Sequence, residues 1–383
     1  PSCNANPTAG SKSLSASIAD DAVTNAKVSY NNNQFRNIII NGDMSIAQRG
    51  TSQAAAGSSS GSYQTIDRFK FFNINLGAFT QSQSTDVPTG QGFAKSMKMD
   101  CTTADASPAA ADALFLSQFV EGQNLQYLKY GTSSAESLTV SFWVKSNKTG
   151  TYCFDLRNLD NSKLISKSYT ISSADTWEKK TITYAGDTAS VFANDNGSSL
   201  QCNFWLGAGT DYTSGTLATS WQTYDATDRA VGQVNLADST SNEWYVTGLQ
   251  VEAGTSASDF EFLPFDVNEH RCQRYYFDYV KGNNQDVGMF TSYSGGTSSI
   301  YGHIDFPVRM RTNPTLITSN NTNDFASRKG NSEKFSTWDG FQHTGDLNCN
   351  IYSAATITSV STGEVVWVNT NASTSQISFD AEL

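Results

Sequence analysis

An all-β fold is predicted, as two β-sandwich, jelly-roll-like domains after a short N-terminal shaft segment, and three observations predict it. The 383 residues are rich in Ser, Thr and β-branched side chains and carry 22 Phe, 16 Tyr and 7 Trp, residue types that suit a pleated, half-buried surface. Apolar residues recur at period two in short runs bounded by Gly, Asn or Asp, the rhythm of strands and turns. Helix formers rarely gather into runs, and no fixed-period repeat of the solenoid or propeller kind occurs.

Taken in order, residues 1–35 place single aliphatics at wide spacing. They cannot offset their ordering entropy within one chain, so they either order against partner chains or a neighbouring domain or form a disordered terminal tail. Ile38, Ile39 and Ile40 open the first core domain, 36–267, and Asn41-Gly42-Asp43 supplies turn chemistry. Residues 51–62 read as a mobile loop. Strands are expected at 67–72, 93–99, 114–120, 138–144, 150–157, 177–184, 200–207 and 243–251, with one short helix at 124–129. Between them, 210–238 shows no convincing strand, and a stretch of that size is usually functional or mobile. A second domain, 268–383, is expected to hold strands at 274–279, 300–306, 315–319, 351–360, 363–369 and 376–379.

Charge and cysteine content narrow the partners. The net charge is −11, which leaves no dominant basic surface for a phosphate backbone, so nucleic acid is not expected. No apolar run reaches the ~18 residues that a bilayer span needs, so membrane insertion is not expected either. Pro1 in place of Met reads as a mature product or a fragment of something longer. Cys3, Cys101, Cys153, Cys202, Cys272 and Cys349 are too far apart for a zinc site or a dense disulfide scaffold, so free thiols and folding in a reducing cytosol are expected.

The chain carries few signatures of chemistry. The nucleophile-elbow, phosphate-loop and zincin patterns are absent. His270, His303 and His343 lie far apart and read as polar residues on loops or strand edges, and His303 with Asp305 is too small a signal for a metal site. The four Asn-X-Ser/Thr sequons are chance products of composition. No catalytic residue, metal site or cofactor is assigned, and the chain is read as a non-enzyme. Among aromatics, Trp143, Trp177, Trp205, Trp244 and Trp367 sit in strand-like runs and are expected in the core. Tyr212, Trp221 and Tyr224 in the long insertion, and Trp338, Phe341 and His343 in a polar stretch of the second domain, are the candidate ligand-binding residues. Exposed rings there would stack on sugar faces while adjacent Asp, Asn and Gln bond the hydroxyls.

Several ordered blocks carry a family resemblance. Arg36-Asn37-Ile38-Ile39-Ile40-Asn41-Gly42-Asp43, then Asp67-Arg68-Phe69, Gln118-Phe119-Val120-Glu121-Gly122, Trp244-Tyr245-Val246-Thr247-Gly248-Leu249-Gln250-Val251-Glu252, and Glu269-His270-Arg271-Cys272-Gln273-Arg274-Tyr275-Tyr276 together resemble a domain of tail fibres of tailed bacteriophages. Phe306-Pro307-Val308-Arg309-Met310-Arg311 is similar to the module that usually follows, and Ser17 to Val28 is similar to fibre-shaft segments. Beyond residue 320 nothing matches. The resemblance implies a carbohydrate-binding-module-like jelly roll on a homotrimeric shaft. It would be joined to other virion tail proteins through its N-terminal side and would bind a host cell-surface glycan or protein. It supplies no catalytic residue. A glycan-degrading tailspike with an unrecognised carboxylate pair, and a purely structural connector or decoration protein, are the alternatives.

Overall fold

Alternating apolar and polar positions become paired strands throughout the chain, and the computed structural model describes residues 35–282, 288–296, 299–329, 331–354 and 361–383. The shaft segment expected at 1–35 therefore lies, except for Phe35, outside the described residues, as does Cys3. The first unit contains β1 (Ser52–Gln53), β2 (Lys70–Ile74), β3 (Ala78–Ser84), β4 (Ser96–Thr103), β5 (Ala113–Glu121) and β6 (Leu138–Ser146). It continues with β7 (Gly150–Asn158), β8 (Lys163–Ile171), β9 (Glu178–Tyr184), β10 (Ser198–Ala208), β11 (Gln222–Thr223) and β12 (Glu243–Ala253). One sheet runs β1-β3-β4-β12-β6-β9 and the other β11-β8-β7-β10-β5-β2, with the chain passing repeatedly between them.

The inner faces of these sheets meet on aromatic rings. Phe142 of β6 packs edge-on against Tyr169 of β8 at 5.0 Å and Phe204 of β10 at 4.9 Å, and Phe204 meets Trp244 of β12 at 5.4 Å. Three expectations about tryptophan in the core, for Trp143, Trp177 and Trp367, are corrected, the first and last by strand parity. Phe142 and Val144 are fully buried, so Trp143 between them faces outward and is only half-buried. Trp367, flanked by buried Val366 and Val368, is 64% exposed. Trp177 is half-buried and its Nε1 donates to Asp86 at 2.9 Å, whereas Trp205 and Trp244 are fully buried.

The apolar triplet Ile38-Ile39-Ile40 forms a strap rather than a strand, closing one end of the sandwich. Asn37 accepts from the Ile39 and Val251 amides at 3.0 Å and donates to the Leu249 carbonyl at 3.1 Å. Gln118 of β5 accepts from the Ile40 amide at 2.8 Å and donates to its carbonyl at 2.9 Å. One segment is thus bonded to both sheets. Gly42 is required because a Cβ there would overlap the Leu249 carbonyl oxygen. Gly248, at φ +63° beside the Phe93 ring, forms the bulge in β12 that brings this carbonyl forward.

Helix α1 is a single turn, Thr210–Thr213, and α2, Phe265–Gln273, leads into the second unit. The expected boundary at 267/268 falls inside α2, which the sequence reading did not foresee. The second unit holds β13 (Tyr276–Lys281), β14 (Gly288–Gly296), β15 (Ser299–Asp305), β16 (Thr315–Thr318) and β17 (Phe325–Lys329). It ends with β18 (Asn331–Phe335), β19 (Gly340–Thr344), β20 (Asn348–Ser353), β21 (Val365–Thr370) and β22 (Gln376–Asp380). Sheet β13-β22-β16 faces the seven-stranded sheet β18-β17-β21-β14-β15-β20-β19. The expected 124–129 helix is two single 3₁₀ turns, and β1, β3, β8, β11, β14, β17, β18 and β19 add to the strands anticipated. Part of the strand expected at 351–360 lies outside the described residues. Cys101, Cys153, Cys202, Cys272 and Cys349 are buried and unpaired.

Ion pairs join the units. Arg68, 1% exposed, pairs with Glu382, lies 3.4 Å over the Tyr275 ring and donates to the Phe119 carbonyl at 2.8 Å. Arg49 reaches Glu382 at 3.3 Å and Asp380 at 3.1 Å while lying 3.6 Å over the Tyr276 ring. Glu121 accepts from Arg274 Nε and Nη2, both at 2.7 Å, and from the Tyr275 hydroxyl. Burial opposes its charge, but these donors outweigh burial and hold the carboxyl below its ordinary range.

Two outcomes follow from this packing. Phe142→Ala should lower the unfolding free energy by about 3–5 kcal/mol, and Trp143→Ala by much less, in urea titrations of both variants. At the junction, burial pushes the Asp67 carboxyl up to about 6, against the lowering pull of Arg49 and Gln48. Because folding raises this pKa, the native state holds an extra proton in the window up to about 6. The group's contribution is complete below the ordinary carboxylate value and is lost as pH rises through that window. Between pH 4 and 7, on the order of the range this linkage covers, the parent should lose stability relative to Asp67→Asn.

Candidate functional site

Strands β5 and β10 are buried along nearly their whole length, the mark of a sheet covered on both faces, although their outward positions include Ser117, Gln201 and Asn203. Their inward positions, Leu114, Leu116, Phe204 and Leu206, fill the main core, while Phe115 and Trp205 belong to a second apolar cluster on the opposite face. Strand register arranges this outward face in three rows. Phe72, Phe115 and Trp205 form the first, Lys70, Ser117, Asn203, Asp155 and Ser166 the second, and Phe119, Gln201, Arg157 and Leu164 the third.

The first row is an aromatic ladder. Phe72 stacks on Phe115 at 4.5 Å, Phe115 meets Trp205 at 4.8 Å, and Trp205 meets Tyr212 from the insertion at 5.2 Å. Polar groups fill the rows beside it. The Ser117 hydroxyl donates to Asn203 Oδ1, Gln201 donates to Ser117 at 3.2 Å, and Arg157 donates to Gln201 Oε1 at 3.0 Å. The Arg157 guanidinium lies 4.3 Å from the centre of the Tyr224 ring. Phe72, Phe119, Arg157 and Tyr224 are all half-buried, so ring faces and a guanidinium rim this face, while Ser117, Gln201 and Asn203 are buried beneath them.

The long insertion is ordered by its own carboxylates and by β8. Asp225 accepts from the Thr227 amide at 3.0 Å, and Asp228 accepts from the Thr216 amide at 2.8 Å and from Gln222 at 2.7 Å. The Tyr224 amide donates to the Ser162 carbonyl at 2.8 Å. From this insertion Arg229 reaches down to Asp155 at 2.8 Å, over Trp205 at 4.6 Å and Phe115 at 5.3 Å. Burial opposes the Arg229 charge, but Asp155 outweighs it and raises the guanidinium above its ordinary value. Burial and the Asp155 charge push the Cys153 thiol up to about 12, so it is an inert packing group. Asn203 Nδ2, Asp155 Oδ1, Trp205 Nε1 and Arg229 Nη2 are buried on this face without a hydrogen-bond partner among the described residues.

Of the residues expected to bind ligand, Tyr212 and Tyr224 come together over this face. Trp221 does not: its Nε1 donates to the Ala185 carbonyl at 2.7 Å, and its ring packs against Tyr130 at 5.9 Å and the main core. The second expected cluster is not an exposed platform. Trp338 is 1% exposed and packs on Phe335 at 5.4 Å and Phe325 at 6.3 Å, because it fills the gap between the sheets of the second unit. Phe341 is half-buried at 6.2 Å from Phe379, and His343 on β19 is exposed. His303 bonds Asn350 at 2.7 Å and Asp305 at 3.2 Å. The sequence reading missed Phe72, Phe115, Asp155, Arg157 and Arg229. The short breaks in alternation, Ala113 to Leu116 in β5 and Phe204 to Leu206 in β10, were the available signal that both faces are covered.

No known protein family's sequence profile matches the chain, and no curated protein sequence matches it. Several solved structures share the fold at low superposition scores. The enzymatically active domain of bacteriophage CBA120 tailspike protein 4 matches with TM-score 0.30 and 12% identity, over 57% of this chain and 21% of that one. A family 11 carbohydrate-binding module from Clostridium thermocellum, in complex with a β-1,3-1,4-mixed-linked tetrasaccharide, matches with TM-score 0.26 and 10% identity, over 54% of this chain and 98% of that one. TmCBM61 in complex with β-1,4-galactotriose gives TM-score 0.24 and 10% identity, over 57% and 99%. At these values the likeness carries no information about ligand or activity.

Removing one member of the buried pair should expose its cost. Arg229→Met and Asp155→Asn should each destabilise by about 3–5 kcal/mol, because each leaves a polar partner stranded in a dry site. The double variant should lose much less than the sum, which a urea-monitored mutant cycle reads directly.

Proposed function

We propose that this chain is the receptor-binding part of a bacteriophage tail fibre, and that it holds host cell-surface glycan on the outward face of β2, β5, β7 and β10 without cleaving it. The observation that carries this reading is the half-buried set Phe72, Phe119, Arg157, Tyr212 and Tyr224 at the rim of this face, with Phe115 and Trp205 buried beneath as their support. Sugar rings stack on π faces through their C–H groups while polar neighbours bond the hydroxyls. Asp155, the carboxylate in these rows, is held by Arg229, which favours recognition over acid–base chemistry. The ordered sequence blocks that resemble tail-fibre domains supply the virion setting.

Charge shapes the way such a protein would bind. At net −11, long-range attraction to a commonly negative cell surface is unfavourable, so short-range stacking and hydrogen bonds must carry the affinity. Individual sites would be weak. A homotrimer assembled through the N-terminal segment, attached to other tail proteins of the virion, multiplies them by effective concentration.

A glycan array probed with the full chain tests the reading. The double variant Phe72→Ala/Arg157→Ala should bind the selected glycan about tenfold or more weakly, a loss of ~1.4 kcal/mol or more, with little change in thermal unfolding. Host polysaccharide incubated with the protein should keep its length by size-exclusion chromatography. Parental binding by the double variant would place the site elsewhere, and shortened chains would make the protein an enzyme.

A further inference from the structure

The sequence blocks that the sheet face leaves unused converge at the end of the first sandwich. The strap, the end of β5 with the turn after it, and α2 together enclose a cavity of about 450 Å³, within the range of small-ligand sites. Its walls are chemically mixed. Phe35 and Tyr127, 56% and 49% exposed, provide ring surface, Asn124 provides an amide, and Arg271 and Arg274 provide guanidinium groups.

The two arginines differ in one respect. Arg274 is clamped by both oxygens of Glu121, and nearby Arg36, Arg49 and Arg68 each have a carboxylate partner. Arg271 has no carboxylate within ion-pair distance among the described residues, and its hydrogen bond to the Asn37 carbonyl is long, at 3.4 Å. Glu261, which lines a neighbouring pocket together with Arg271, is engaged by the Phe35 and Asn37 amides at 2.6 and 2.9 Å. Burial pulls the Arg271 guanidinium below its ordinary value, and Cys272, Tyr275 and Glu261 offset this only in part. A half-buried cation at a cavity wall, flanked by ring surface and an amide, is short of one anion.

We propose that this cavity is a second binding site, for an acidic sugar residue of the uronic-acid class, with its carboxylate on Arg271, its C–H face on Phe35 or Tyr127 and a hydroxyl on Asn124. A uronate matches the set because it joins a planar carboxylate, which a guanidinium grips through two parallel hydrogen bonds, to an apolar ring face. A free phosphate or simple carboxylate would use Arg271 and leave the rings without a role. The site does not depend on glycan binding by the outward sheet face.

Calorimetry on the full chain with a glucuronate-containing disaccharide, its neutral glucose counterpart and acetate tests this. The uronate should bind, Arg271→Gln should weaken it at least tenfold, Arg271→Lys should fall between, and Asn124→Ala and Tyr127→Ala should each weaken it severalfold. The neutral sugar and acetate should bind far less. Phe72→Ala/Arg157→Ala should leave uronate binding unchanged, which separates this site from the sheet face. The proposal is overturned if the parent fails to bind the uronate below about 10 mM, if the neutral disaccharide or acetate binds as well, or if folded Arg271→Gln binds like the parent. If Arg271→Gln does not fold, parental affinity in both Asn124→Ala and Tyr127→Ala overturns it.

Discussion

The relation between the two units rests on one carboxylate, that of Glu382, held between Arg68 and Arg49. Arg68 is 1% exposed, and a guanidinium so far from water is tolerable only with an anion and further hydrogen-bond acceptors around it. Glu382, the Phe119 carbonyl and the Tyr275 ring meet most of that need, and Arg68 Nε alone is buried without a hydrogen-bond partner among the described residues. The second unit supplies Glu382, the first supplies Phe119, and Tyr275 follows the connecting helix. Neither unit could leave without stranding a buried charge, so docking here is a matter of electrostatic necessity as much as of apolar area.

The sequence blocks that resemble tail-fibre domains acquire a common physical meaning. Asn37, Gln118 and Gly248 act on the same small region, where the strap is bonded to a bulged β12 on one side and to β5 on the other. Arg68, Glu121, Arg274 and Tyr275 then fix the second unit to that closed end. These residues are spread widely along the chain, yet they solve one problem, the sealing of an open sandwich end whose backbone groups would otherwise be unpaired.

Most strands of the first unit were legible because period-two alternation survives where one face is wet. β8 was obscured by Lys163 and Lys167 among its apolar positions. α2 was hidden because its buried positions include Asn268, which bonds the Asn41 amide, so no apolar stripe forms. Trp143 and Trp367 were expected in the core, yet parity alone turns each outward, since a side chain between two inward neighbours must point out. Trp338 went the other way, because polar neighbours in sequence say nothing about a residue that plugs the space between two sheets. Of the candidate site, Tyr212 and Tyr224 could be read from their place in a long insertion. The ladder beneath them could not, since pairing register, absent from local sequence, is what aligns Phe72, Phe115 and Trp205.

The Arg68–Glu382 pair joins residues 314 positions apart, and Arg49–Glu382 joins residues 333 apart. During synthesis the first sandwich is therefore complete long before its electrostatic counterpart emerges. Through that interval Arg68 and Arg49 must stay hydrated, so the closed end of the finished protein begins as a loose, water-filled face. Contacts of such sequence separation form late, and a nascent chain waiting for its own Glu382 presents the same basic face to the Glu382 of a neighbouring copy. On a polysome the two pairings compete, and exchange of the second unit between copies is the misassembly that this geometry invites.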